Sequence, residues 1–134
     1  MATAFLHRIA IHGTGQTTDA ATAVTIASLD VSAPGFCGTI DGTVFDVRGK
    51  LIGLSTGNAG TTGTGHRPFK RIAGTLTALG TLAMTVAFDG DLASTSVMTL
   101  DATGTTIRLR VNGIAATTIN WDGFLELYSR TFTR

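Results

Sequence analysis

The chain has 134 residues, of which 17 are Gly, 2 are Pro and only 14% are charged, against about a quarter in an average soluble domain. A chain of this length is expected to form one domain, residues 1–134, because it buries roughly two-thirds of its unfolded surface around one core. Thr is the commonest residue at 25, the mean hydropathy is +0.30 and the net charge is +1, which excludes a charge-coated helical bundle and a disordered chain.

The dominant pattern is period two in runs rich in β-branched residues, separated by Gly, Asn and Asp. The first run, Ala4 to Ile11, sets Phe5, His7, Ile9 and Ile11 against Leu6, Arg8, Ala10 and His12, and Gly13-Thr14-Gly15 is expected to end it. The stretch Met1 to Gly13 carries His7, Arg8 and His12 and lacks an uninterrupted apolar region, so it reads as neither a signal peptide nor a membrane span. Ala21 to Val31 is small and apolar on both parities, which predicts burial on both faces, and Ser32-Ala33-Pro34-Gly35 is a turn. Phe36 to Leu54 is long enough for one bent strand or two, with Val44, Phe45 and Val47 its best-buried part. Ser55 to His66 lacks a large apolar group and reads as a flexible Gly/Thr-rich loop, at about 55–66. Strands are expected at Phe69 to Leu76, Thr81 to Phe88, Ser94 to Leu100, Thr105 to Val111 and Thr117 to Phe132, with Asn112-Gly113 as a tight turn. About eight or nine short strands with no helical period predict an all-β fold, an antiparallel β-sandwich or jelly roll, with a small barrel as the alternative.

The chemistry-bearing residues do not converge in the sequence. His7 and His12 fall on opposite strand faces and His66 is distant, so no metal spacing forms. Cys37 sits in an apolar, Gly-rich context without a nearby His and cannot form an internal disulfide. Asp89 and Asp91 flank Gly90 in a turn that holds two of the six or more oxygens a calcium ion takes. Asp41 and Asp46 lie on opposite faces, and Gly49-Lys50 lacks the Ser/Thr and the upstream Gly of a phosphate loop. No catalytic residues, metal or cofactor are expected. The basic residues gather at Arg67, Lys70 and Arg71 and at Arg108 and Arg110, which share one strand face; these five are the candidate interface residues. A small net charge and the lack of aromatics interleaved with the basic residues argue against nucleic acid, and no apolar span argues for a membrane.

Several segments in chain order resemble small β domains of tailed-bacteriophage virion proteins. They are Thr17-Thr18-Asp19-Ala20 followed by Val24-Thr25-Ile26-Ala27, Phe45-Asp46-Val47-Arg48, and Ile72-Ala73-Gly74-Thr75-Leu76 with Gly80-Thr81. The run from Gly104 to Gly113 and then Ala115 to Trp121 continues the match, which spans about Gln16 to Leu127. The resemblance implies a non-enzymatic structural protein that assembles as a homo-oligomer, a trimer in fibres and decorations, against major capsid or tail proteins. A capsid decoration or cement subunit, made in the host cytoplasm and carried in the virion, is the leading expectation. A tail-fibre or head-fibre module touching the host surface and a small carbohydrate-binding module are the alternatives.

Overall fold

The period-two runs become nine antiparallel strands in the computed structural model, which describes residues 4–32, 41–88 and 97–132. They are β1 (Ala4–Thr17), β2 (Ala23–Asp30), β3 (Thr43–Ser55), β4 (Gly60–Ile72), β5 (Thr75–Ala78), β6 (Ala83–Phe88), β7 (Val97–Thr103), β8 (Thr106–Asn112) and β9 (Ile119–Phe132). The large sheet runs β1-β9-β3-β4, with β5 and β6 sharing the far edge of β4. The small sheet runs β2-β8-β7. The two face each other as an antiparallel β-sandwich, the first of the expected architectures.

Side-chain parity decides which residues meet between the sheets. Phe45, Val47 and Leu51 of β3, Phe69 of β4 and Trp121, Leu125 and Leu127 of β9 point inward from the large sheet. Met98 and Leu100 of β7 and Ile107, Leu109 and Val111 of β8 answer from the small one. Among these large groups the inner face of the large sheet carries glycines: Gly13 pairs with Gly123, Gly49 with Gly65, and Gly53 with Trp121. The spaces at Gly13, Gly49, Gly65 and Gly123 are occupied from across the sandwich, and the one at Gly53 by Trp121 of the adjacent strand. A Cβ added at Gly49 would stand 2.9 Å from Leu109 Cδ1 and 3.1 Å from Leu100 Cδ2, and one at Gly53 would stand 2.6 Å from the Trp121 ring. At Gly13 it would strike the Ile26 carbonyl, at Gly123 the Ile26 side chain and at Gly65 Met98. The register of β2 on β8 shifts between Thr25 and Ala27, a bulge that buries Ile26 and Ala27 in succession and aims Ile26 into the Gly13–Gly123 gap. Trp121, 3% exposed, donates from Nε1 to Thr17 Oγ1 at 2.8 Å, which satisfies its polar edge inside the core.

The structure departs from the sequence expectations at identifiable places. Four strands are 13 or 14 residues long instead of short. β1 continues through Gly13-Thr14-Gly15, because those glycines make room for Ile26 while their backbone pairs with β9 without interruption. Ser55 to His66 is not a flexible loop: only 56–59 connect, and Gly60 onward is β4, with Gly63 and Gly65 buried. Its anchor is the ladder, to β3 on one side and β6 on the other, instead of an apolar side chain of its own. The expected strand Phe69 to Leu76 is broken by a hairpin turn at Ala73 (φ 54°) and Gly74 (φ 79°), both left-handed as a two-residue hairpin requires. The tight turn after β8 falls on Ala115-Ala116 inside the Ile114–Thr117 bridge, while Gly113 is needed because a Cβ there would collide with Thr17. In β2 only Ile26 and Ala27 are buried, so burial on both faces is local to the bulge. Val44 faces outward while Phe45 and Val47 are fully buried. Cys37, Asp89 and Asp91 and most of the Ser32–Gly35 turn lie outside the described residues.

Two stability outcomes follow from this packing. Gly49→Ala should lower the urea midpoint by about 1–3 kcal/mol of overpacking strain, while Gly57→Ala, which meets only Ser55 Oγ at 3.7 Å, should leave it nearly unchanged. Acid should weaken the fold through two turn aspartates. Backbone donation from Thr22, then Ala21, holds the Asp19 carboxyl below the ordinary 3.8, and Ser32, then Thr105, does the same for Asp30. Both groups bind protons more readily unfolded, so their stabilisation is complete above 3.8 and is lost as pH falls below it. Unfolding midpoints measured from pH 6 down to 2.5 should therefore decline, and Asp19→Ala with Asp30→Ala should flatten that decline.

Candidate functional site

In β3 and β9 the apolar residues occupy both parities over Leu51-Ile52-Gly53-Leu54 and Phe124-Leu125, and a strand can bury only one parity here. The other parity emerges on the outer face of the large sheet. Val44, Ile52, Leu54, Phe124 and Phe132, the exposed large hydrophobics among the described residues, all stand there, between 39% and 52% exposed. The outer face of the small sheet is unlike it. Thr25, Ser28 and Asp30 of β2, Arg108, Arg110 and Asn112 of β8 and Thr99 and Asp101 of β7 make it polar, with Ala23 beside Asn112 an apolar exception at one end.

Polar side chains on the large outer face are tied to one another across strands. Arg8 donates to Tyr128 Oη at 3.2 Å and to Glu126 at 3.4 Å, and those partners, Tyr128 first, raise its pKa above the ordinary guanidinium value. His12 meets Asp122 at 3.1 Å while its ring stacks on Phe124 with centroids 4.9 Å apart. Gln16 donates to Asn120 at 2.9 Å. Asp46 bonds His66 and also lies 3.8 Å from Arg48. Exposed pairs of this kind contribute at most about 1 kcal/mol each, so they order the face more than they stabilise the fold. Lys50 has no carboxylate within ion-pair distance among the described residues. Two open depressions mark the surface, one of about 670 Å³ among Arg48, Lys50, Thr64, His66, Phe124 and Glu126, the other of about 570 Å³ among Gln16, Ile52, Leu54, Asn120 and Asp122. No three His, Cys, Asp or Glu side chains converge among the described residues. What the face offers is apolar contact, charge and hydrogen bonding.

The five basic residues singled out by the sequence occupy three separate surroundings. Arg67 points inward from β4 and its guanidinium donates to the Leu100 carbonyl at 3.1 Å and the Gly80 carbonyl at 3.1 Å, so it bridges the two sheets. Arg71 is 15% exposed and lies 3.7 Å from Asp41, whose other bond accepts from the Gly74 amide. Lys70 stands on the outer face of the large sheet beside Val44. Arg108 and Arg110 share the outer face of the small sheet as expected; Arg108 grips Asp101 through two bonds of 2.7 and 2.9 Å, which raise its pKa. Arg110 donates to the Ala23 carbonyl at 3.3 Å and reaches Asp101 at 3.9 Å. Ile52, Leu54, Phe124 and Phe132 are not among the residues singled out from the sequence, where nothing but strand parity marks them. Counting parity along β3 and β9 separates them from the core.

No family model matches the chain, and no curated protein matches it. Among solved structures it is similar to the Acinetobacter baumannii phage AM24 tailspike protein, at 10% identity and a TM-score of 0.42, over 98% of this chain and 28% of that one. It is similar also to the Acinetobacter phage vB_ApiP_P1 tailspike protein, at 12% identity and a TM-score of 0.42, over 91% of this chain and 22% of that one. The chain thus spans about a quarter of the length of each. Likenesses of this degree carry no functional argument.

Arg67 and Lys70 are close in sequence yet differ in role, and substitution should show it. Arg67→Met leaves two backbone carbonyls without their charged donor and should cost about 2 kcal/mol in chemical unfolding. Lys70→Ala should change stability by less than about 0.5 kcal/mol.

Proposed function

We propose that this chain is a structural module of a bacteriophage virion, working by contact and not by turnover, with the outer face of its large sheet covered by neighbouring subunits. One observation carries the proposal: every exposed large hydrophobic among the described residues lies on that face, while the opposite outer face is polar. Monomeric domains scatter such residues, and a concentrated patch marks an interaction surface. The virion setting comes from the resemblance of the segments between Gln16 and Leu127 to small β domains of phage particles. Within that setting the face suits a subunit seated on a capsid or a module seated in a tail or fibre.

A second reading, a small carbohydrate-binding module, draws on Phe124, a half-exposed ring beside the larger depression.

Immunogold labelling of purified particles tests the proposal and gives the location. Label fixed at the capsid surface or along the tail is the expected result. Particles free of the protein, with all of it in the soluble lysate, would overturn the proposal. Saccharide binding that persists in particle-free protein would favour the second reading.

A further inference from the structure

We infer that the outer face of the large sheet is covered by a second copy of this chain, stacked face to face about a two-fold axis along the seam between β9 and β3. This deepens the assembly reading and rests on it. Apolar residues make the face sticky, but they do not choose a partner. The charges do. At the middle of the face β9 presents Phe124 and Glu126 outward and β3 presents Arg48 and Lys50, with Asp122 and Arg130 further along β9 and Asp46 further along β3, and the register sets Glu126 beside Arg48 and Phe124 beside Lys50.

A two-fold axis parallel to the strands and midway between β9 and β3 carries each column onto the other and keeps every row in place. The partner's Arg48 then lies over Glu126, and the partner's Lys50 over the Phe124 ring. Symmetry repeats both contacts, giving two opposite-charge pairs and two cation–π contacts at the centre of the interface. Lys50, which has no carboxylate of its own within reach among the described residues, gains a ring. An axis across the strands through the Arg48 row, the Lys50 row or between them sets cation on cation, whereas one midway between the Asp46 and Arg48 rows sets Arg48 on Asp46. Like charges in contact cost several kcal/mol, so the axis along the strands and that one alternative remain, and only the first makes Glu126 the partner of Arg48.

Shape and size agree with the assignment. The depression of about 670 Å³ lies at these same two rows, where side chains of a facing copy would enter it. Val44, Ile52 and Leu54 flank the charged rows along β3, and the same axis sets them over the partner's Arg130, Asp122 and Asn120. Strands of 13 residues rising about 3.3 Å each, laid four across at about 4.8 Å, give a face of order 800 Å². That is what each partner contributes to a standard stable interface, roughly 800 Å². Arg48 and Lys50 sit at the middle of β3.

The test is charge exchange between copies, read by size-exclusion chromatography with light scattering near 100 μM. The unaltered chain should elute at twice 13.8 kDa. Arg48→Glu alone and Glu126→Arg alone should each weaken self-association roughly tenfold or more, since each sets like charges in contact twice. An equimolar mixture of the two variants should recover the dimer, because every Glu at 48 then meets an Arg at 126 across the interface while nothing changes within either chain. Circular dichroism keeps folding separate from assembly. A monomer or a trimer for the unaltered chain, a dimer indifferent to both variants, or folded variants that stay apart when mixed would each overturn the inference. Particle labelling is an independent readout: a dimer absent from virions would sink the assembly reading and leave this inference standing, and a virion-bound monomer would do the reverse.

Discussion

The fold depends on the absence of side chains from part of one sheet. Where the large sheet carries Gly13, Gly49, Gly65 and Gly123 on its inner face, the small sheet presses Ile26, Leu109, Leu100 and Met98 into the vacated space. Two sheets of unequal width would otherwise meet large group against large group along β3 and β9. Protein interiors are packed as densely as organic crystals, so each of these gaps must be filled from across the sandwich and no gap admits a Cβ without displacement. The bulge in β2 belongs to the same device, since only the extra residue at Ile26 brings a side chain over the Gly13–Gly123 pair.

With the inner faces settled by this interlock, the outer faces are left to differ. Six strands contribute to one and three to the other. The small face is finished with Thr, Ser, Asp and Arg and is complete as it stands, its two arginines engaged by Asp101 and a backbone carbonyl. The large face is a mosaic in which apolar residues and cross-strand ion pairs alternate by row.

Composition and period two were enough to read an all-β sandwich from the sequence, because Thr, Val and Ile in alternation have few other uses. Strand lengths were harder to read. Gly13-Thr14-Gly15 and the stretch from Gly60 to Gly65 look like breaks when each residue is judged by its local preference, yet they are the places where the opposite sheet needs room. Turn chemistry misled for a related reason: Asn112-Gly113 carries the stronger hairpin signal, but Gly113 answers a close approach by Thr17, and the left-handed residues fall on Ala73-Gly74 and Ala116. The basic residues were legible as a list and illegible as a surface, since whether Arg67 points into the sandwich or out of it turns on one step of parity. The apolar outer face was present in the sequence as surplus, more large residues than one parity of β3 and β9 can bury.

β9 lies between β1 and β3 and pairs with both along their length, so the last of the nine strands to be synthesised is an interior strand of the large sheet. Its pairs with β1 join residues more than 100 positions apart, the kind of closure that makes folding slow. Until β9 arrives, β1 and β3 leave the ribosome with facing edges open, and Trp121 is not yet in place over Gly53. The large sheet therefore closes only once β9 has been made, and a nascent chain stalled before Ile119 exposes two long unpaired edges to its neighbours.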